Sequence, residues 1–510
     1  MSRDDLPELG ALALRDLIAR RAVSPVELLD ACIARIEALN PAINAITATD
    51  YDRARDTARA AEAAAQRGDA LGPLHGLPLG VKDLQDTAGL LSTSGNIGRR
   101  GHVPAQDNAL VARLRAAGAI VTAKTNVPDM GAGANTRNPV WGATGNPFDP
   151  RLNAGGSSGG SAAALAADLL PLATGSDTGG SLRIPAALCG VVGLRPTPGL
   201  VANDARPLGW SVISVLGPMA RDVADTRLLL QASAGLDARD PLSAEQPDLF
   251  APPALPDPAR LRIAVTADFG CCDVDPMIRR VFHDRVAALQ RLGAQVEPLD
   301  EALHPLLAEA HGVFDVLRAE SFYAAYADTL RDAPQTLAPH VRANIEMAGA
   351  MTLADRAAAH LAQTRIARAF SALFQRFDLI VAPTTPVTPF PWTTLYADRI
   401  DGRPQANYYR WLALTYVVTL ATNPALSLPC GRDEAGMPFG LQLIGPLRRD
   451  ARLLNLAQAL EQAWAGDPTL ARPRPDTAAL RTPRPELRSI VTHPPILGGG
   501  GSGSASMTAV

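Results

Sequence analysis

The chain has 510 residues, 47% hydrophobic and 19% charged, with a formal net charge of -3. This describes a globular chain long enough to bury a sizeable core, without the basic excess of a nucleic-acid binder or of a protein drawn to an anionic membrane. Its five cysteines, Cys32, Cys189, Cys271, Cys272 and Cys430, are odd in number and lack C-x-x-C spacing. That argues against a disulfide framework or a zinc site and fits a reducing compartment.

The first ten residues, MSRDDLPELG, are acidic and carry no apolar signal region, and no run approaches the roughly 18 apolar residues of a membrane span. A cytoplasmic location is expected. From Leu9 to about Arg67 the pattern reads as helices, with Ser24 as an N-cap and Pro25 at the first helical position. Leu77-Pro-Leu-Gly-Val-Lys-Asp83 reads as a buried strand ending at a polar tip, Ala109 to Ala117 as an amphipathic helix and Gly118 to Ala123 as a strand. This alternation predicts an α/β fold around a largely buried sheet. Residues 236–262 are rich in proline and aspartate and read as a surface excursion. Strands are expected at Leu261–Val265, Leu379–Pro383 and Gly440–Gly445, and helices at Asp275–Leu292, over most of 301–378, and at Arg449–Ala465. From Asp467 proline, arginine and threonine dominate, followed by the Gly/Ser run 498–504, and this stretch is expected to be disordered. The expected division is an N-terminal helical segment at 1–70, a catalytic domain at 71–465 with a variable helical insertion at about 301–420, and a tail at 466–510.

Two features carry chemistry. The first is a pair of glycine-rich loops, Gly155-Gly-Ser-Ser-Gly-Gly-Ser161 and Gly175-Ser-Asp-Thr-Gly-Gly-Ser181, separated by an alanine-rich apolar stretch. Glycines let a backbone approach itself or a ligand closely. A phosphate cradle fits poorly, because neither loop carries a lysine after its glycines. A nucleophile loop fits better, since successive backbone N–H groups just before Ser181 suit an oxyanion. The second is lysine scarcity. The 48 basic residues include only two lysines, Lys82 and Lys124. Arginine can replace lysine as a solvated charge but not as a proton acceptor. Lys82 ends an apolar run, where desolvation lowers a lysine pKa; its alternative role is a salt bridge with the adjacent Asp83 or another carboxylate. Lys124 reads as structural. None of the histidines sits in a convincing motif, including His75, His102, His304 and His311.

Gly76-Leu-Pro-Leu-Gly-Val-Lys-Asp83, the GGSSGGS block, residues 175–197 and Asn423-Pro-Ala-Leu-Ser-Leu-Pro-Cys-Gly431 together resemble the amidase signature family, in order and over about Leu9 to Trp464. The resemblance implies a single α/β/α sandwich around a large mixed, mostly parallel sheet. It also implies a triad of Ser181 as nucleophile, Ser157 as bridging serine in a cis peptide, and Lys82 as base. The amides of Thr178, Gly179, Gly180 and Ser181 would form the oxyanion hole, and Gly131, Ala132 and Gly133 would flank the substrate. Ser176 stands where threonine is common and Arg195 where lysine is common, and neither is expected to touch the triad. No metal or cofactor is implied. The activity implied is hydrolysis of small-molecule amides, with carbamates or esters open to the same acyl-enzyme. The alternative is the glutaminase (A) subunit of a tRNA-dependent amidotransferase, and a homodimer is left open. A third alternative, a non-catalytic binding protein, is disfavoured by the intact triad. The aromatic residues Phe390, Trp392, Tyr396, Tyr408, Tyr409, Trp411 and Tyr416 suggest a pocket for an aryl or other apolar group, against the alternative of ordinary packing.

Overall fold

The computed structural model describes residues 3–492. Its centre is an eleven-stranded sheet. We number the strands β1 (Ile46–Thr49), β2 (Pro78–Lys82), β3 (Ile120–Thr125), β4 (Leu172–Asp177), β5 (Val192–Arg195), β6 (Val215–Ala220), β7 (Arg262–Val265), β8 (Gln295–Pro298), β9 (Leu379–Pro383), β10 (Ala425–Arg432) and β11 (Pro438–Ile444). Their spatial order is β1-β3-β2-β4-β6-β5-β10-β11-β9-β7-β8. The sheet is mixed, as expected, but less parallel than "mostly parallel" implies. Parallel pairing joins β3, β2 and β4 near one end and β9, β7 and β8 at the other, while every other neighbouring pair is antiparallel. The difference arises at the centre, where β5, β6, β10 and β11 run as antiparallel neighbours.

Strands β2, β3, β6, β9 and β11 are buried along their whole length, which is why they read as continuous apolar runs rather than alternating ones. Helix α1 (Pro25–Ile43) starts as its sequence requires. Ser24 accepts from the Glu27 amide, and the Glu27 carboxylate accepts from the Ser24 amide in return. Helix α2 (Gly159–Ala166) is buried throughout and packs against β2, β3, β4 and β6. A Cβ on Gly160 would run into the backbone amide of Asn126, so only glycine allows this helix to sit so close to the end of β3. Helix α3 (Arg183–Cys189) follows the second glycine loop and lies on β5, β10 and β11. The expected insertion contains α4 (Ala310–Asp332), α5 (Pro339–Ala350), α6 (Leu353–Leu373) and α7 (Ala413–Ala421).

Two expectations are corrected. Residues 1–70 are not purely helical: Ile46–Thr49, a short β-branched stretch, pairs antiparallel with β3 and extends the sheet. The tail beyond residue 466 is ordered as far as it is described. Leu470, Leu480 and Leu487 are buried, and the Thr492 amide donates to the Pro139 carbonyl at 2.9 Å. Burial of these leucines, each worth roughly 1.5–3 kcal/mol, offsets part of the cost of ordering this proline- and arginine-rich stretch. The Gly/Ser run 498–504 lies outside the described residues. No helix among them is long and apolar enough to cross a membrane.

Candidate active site

Strand β2 pairs in parallel with β4, Leu79 opposite Leu172 and Gly80 opposite Ala173. This register brings Lys82, at the end of β2, beside the second glycine loop, and the Lys82 amide donates to Thr174 Oγ1 at 3.0 Å. Lys82 is fully buried. Its Nζ lies 2.8 Å from Ser157 Oγ, 2.8 Å from Ser158 Oγ and 2.9 Å from Ser176 Oγ. The ammonium therefore meets hydroxyls rather than carboxylates. Burial pushes its pKa down to about 7, against a partial restoring pull from the Asp177 charge.

The salt bridge to Asp83 is not made, because Asp83 lies in the turn after β2 and its carboxylate is turned to Thr93. Asp83 instead accepts from the Thr93 hydroxyl at 2.6 Å and faces Lys124 at 4.0 Å. Lys124 Nζ is spent on the Gln85 carbonyl and the Thr87 hydroxyl, a structural role. Ser176 departs from expectation in the other direction: its hydroxyl touches the Lys82 amine.

The peptide bond between Gly156 and Ser157 is cis. The two loops are tied by the Ser158 amide, which donates to the Ser181 carbonyl at 3.2 Å. Ser181 is half-buried, whereas Ser157 and Lys82 are buried. The structure thus joins Lys82 to Ser157 directly, and brings Ser181 alongside through its backbone.

The Ser181 loop is anchored from beneath by Asp177. This buried carboxylate accepts from the amides of Gly180 at 2.9 Å and Leu182 at 3.2 Å, and from Arg183 at 2.9 and 3.0 Å. Arg195 adds a contact at 3.3 Å and also donates to the Asp177 backbone carbonyl at 2.7 Å. Burial alone would raise the Asp177 pKa, but the two guanidiniums outweigh it and hold the carboxyl well below its usual range. One consequence corrects the expected oxyanion hole. The Gly180 N–H is already committed to Asp177, so of the four expected donors only Thr178, Gly179 and Ser181 remain as candidates. Replacing Asp177 by asparagine leaves Arg183 and Arg195 as uncompensated buried charges. We expect a loss of about 3–5 kcal/mol in stability, to be read as a lowered urea midpoint. The paired carboxylate contributes stability above its unfolded pKa of about 3.9, and this is lost as pH falls through the lower folded value.

Opposite the loop, Phe314 of α4 lies where a Cβ on Gly179 would be, and Thr415 of α7 donates to the Gly179 carbonyl at 2.6 Å. Phe314 stacks on Tyr416 at 4.3 Å and meets Tyr409 edge-on at 5.8 Å. Residues Gly131, Ala132 and Gly133 form a tight loop after the 3-10 turn Asp129–Gly131, with positive φ at both glycines. Gly156 packs against the backbone of Ala134 and Asn135, which sets this loop beside the Ser157 loop. The Tyr408 ring comes within 3.8 Å of the position of a Gly133 Cβ.

The aromatic group singled out from sequence therefore splits. Tyr408, Tyr409 and Tyr416 cluster beside the site, the last two buried behind Phe314, Trp411 meets Phe390 edge-on at 5.5 Å, and Trp392 packs elsewhere, with Ala143 and Leu487. Phe314, Arg318 and His340 were missed by sequence reasoning. The only available signal was their four-residue helical spacing in α4 for the first two. His340 is held near the Ala132 backbone, and burial, followed by the Arg318 charge, pushes its imidazole down to about 4. A cavity of about 510 Å³ adjoins it, lined among others by Asp129, Arg137, Leu337 and Arg342. The four histidines weighed from sequence are engaged elsewhere or lie on the surface; His311, for example, bridges the Tyr416 hydroxyl and the Cys271 carbonyl. No cluster able to hold a metal ion occurs among the described residues.

Comparison with known proteins agrees with this geometry. The family model described as Amidase matches residues 27–454. The A-type glutamyl-tRNA(Gln) amidotransferase subunit of Acidothermus cellulolyticus is 36% identical over 488 residues, covering 90% of this chain and 95% of that protein. Among solved structures, a bacterial aryl acylamidase of the amidase signature family superposes with a TM-score of 0.80 at 26% identity, covering 95% of this chain and 99% of that one. A 6-aminohexanoate cyclic dimer hydrolase gives a TM-score of 0.77 at 29% identity, with 93% and 99% covered. With a match across most of its length and the paired glycine loops in place, the chain belongs to the amidase signature family.

Proposed function

We propose that this chain cleaves carboxamide C–N bonds through an acyl-enzyme on Ser181, with Ser157 and Lys82 as the proton relay. The observation that carries this reading is a fully buried lysine, depressed to about 7, in contact with Ser157 and with no carboxylate within ion-pair distance among the described residues. A neutral amine in that position accepts the Ser157 proton as Ser157 accepts that of Ser181. The Ser181 oxygen bonds to the carbonyl carbon, and the developing oxyanion faces the amides of Thr178, Gly179 and Ser181. The relay returns a proton to the amide nitrogen as the C–N bond breaks, and water then enters by the same path in reverse. An amine leaves poorly unless protonated, so a relay that both takes and gives suits amides.

Two readings of the substrate remain. Relatives named as glutamyl-tRNA(Gln) amidotransferase subunits of the A type, at 34–37% identity, favour glutamine as the amide and a complex with other subunits. The aromatic cluster of Phe314, Tyr408, Tyr409 and Tyr416 packed beside the Ser181 loop favours an aryl or other apolar amide acted on by the free chain. Sequence identity gives the first reading the stronger support. Purification of the native protein, followed by assays on glutamine and on anilides, separates them. Glutamine turnover together with a co-purifying partner establishes the amidotransferase component. Anilide turnover by the isolated chain with no activity on glutamine establishes the free amidase.

A further inference from the structure

We propose that Arg318 is a specificity-determining residue of this site, which binds a carboxylate carried by the amide substrate. The proposal rests on the amide-cleaving reading and extends it to a substrate class.

Arg318 lies on α4 one turn beyond Phe314, the residue packed on Gly179, and is only 5% exposed. Of the other deeply buried arginines, Arg227 has no carboxylate partner among the described residues, with the Asn455 side-chain oxygen as its acceptor at 2.6 Å and a partnerless Nε; the rest are matched. Arg183 and Arg195 hold Asp177, Arg206 holds Asp240, Arg221 holds Asp168, and Arg285 donates to the Cys430 and Arg432 carbonyls. Arg318 has no carboxylate within ion-pair distance among the described residues. Its single acceptor is the Tyr408 hydroxyl at 2.6 Å, and its Nε finds none. Asp315, on the same helix, is taken by Arg410 at 2.9 Å.

A buried guanidinium left in this state is costly. The faces of Phe322, Tyr408 and Tyr409, at 4.7, 5.4 and 4.9 Å, compensate only in part. What completes the set is an anion, and the fork of guanidinium donors matches a carboxylate.

The placement fits a substrate group. The Tyr408 ring that Arg318 grips is the one facing Gly133, and Phe314 on the preceding turn faces the nucleophile loop. Further buried polar atoms near Arg318 have no partner, among them His340 Nε2, the Tyr409 hydroxyl, Asn344 Oδ1 and Asp315 Oδ1. Asn344 Nδ2 donates to the same Tyr408 hydroxyl at 2.9 Å, and the His340 ring meets Tyr408 edge-on at 5.0 Å. The site thus has an aromatic cluster, with Tyr408 as its partly exposed member, running from the serine loops to a cationic end. The ligand it describes is an amide with an apolar or aryl body and a terminal carboxylate.

Matched anilides test this in the full chain. The pairs are 4-acetamidobenzoate against acetanilide and N-phenylsuccinamate against butyranilide, which place the carboxylate on the amine side or the acyl side. In the wild type, at least one carboxylated substrate is expected to exceed its neutral partner by about 10- to 100-fold in kcat/KM, the scale of one charge-assisted contact. Arg318→Met should bring that ratio to near 1 mainly through KM, and Arg318→Lys should restore part of it. Equal preference in the wild type, or an unchanged ratio in Arg318→Met, overturns the proposal. The wild-type ratio decides even where a variant does not fold. If no amide is turned over and a fluorophosphonate leaves Ser181 unlabelled, the amide-cleaving reading itself fails. Calorimetric binding of the same pairs to Ser181→Ala then still decides for or against Arg318, by whether a carboxylated member binds at least about 10-fold more tightly.

Discussion

Ser181→Ala will lower amide hydrolysis by on the order of 10⁴-fold or more, with KM changed little. The alanine removes the only atom that forms the acyl bond, while the amides of Thr178, Gly179 and Ser181 and the aromatic cluster stay where they are. Residual turnover then reflects only transition-state stabilisation by those amides. The half-buried setting of Ser181 makes the fold insensitive to the change, because the loop is held by its backbone. Its carbonyl accepts from Ser158, and Asp177 holds the amides on either side. Steady-state kinetics with a fluorophosphonate label read in parallel is the measurement. Full activity in Ser181→Ala would remove this serine from the mechanism.

Lys82→Met is expected to cost about 10³-fold in kcat/KM, within the range for a positioned general base, and to change the shape of the pH profile. With a pKa of about 7 in the folded chain, Lys82 is protonated in acid and cannot accept the Ser157 proton. Wild-type kcat/KM should therefore rise about tenfold per pH unit up to pH 7 and level off above it. Lys82→Met should lack that inflection. Lys82→Arg sharpens the test, since arginine keeps a cation but cannot give up its proton. It should be as poor as the methionine variant if the lysine acts as a base, and much better if it acts only as a charge. Stability carries the same signature with a definite sign. Between about pH 7 and the unfolded lysine pKa of about 10.4, the unfolded chain binds more protons than the folded one, so stability rises with pH. Urea midpoints of wild type and Lys82→Met should therefore move relative to one another across that interval.

The residues proposed to take part in bond breaking could be singled out because each sits in a local context with its own chemistry. Lys82 ends an apolar strand in a chain nearly devoid of lysine, and Ser157 and Ser181 sit in glycine loops. What supports them was not legible, since it is assembled across distance. Ser176 reaches the lysine only because β2 pairs with β4. Asp177 gathers Arg183 from the next helix and Arg195 from β5. Phe314 and Arg318 meet Tyr408 and Tyr409 across about ninety residues of chain. Short elements failed for another reason. Ile46–Thr49 is too brief to display a period of two, and it lies between two helices whose pattern dominates the window. The segment after residue 466 was misread on composition, where three widely spaced leucines outweigh many prolines. The antiparallel centre of the sheet is a matter of pairing, which strand sequences taken singly do not encode.

The order of these parts along the chain bears on how such a protein changes its diet. Lys82, Ser157 and Ser181 all precede β5, whereas Phe314, Arg318, His340, Tyr408, Tyr409 and Tyr416 all lie between β8 and β10. Scission and recognition are thus inherited through separate lengths of the gene. Recombination with one crossover after Pro298 and another before Ala425 would exchange this aromatic and cationic group in a single event, with the Gly131–Gly133 loop left in place. Lys82, Ser157 and Ser181 would pass to the descendant untouched, while the seams on β8 and β10, the pairing of β9 with β7 and β11, and the hold of α7 on Gly179 would have to match.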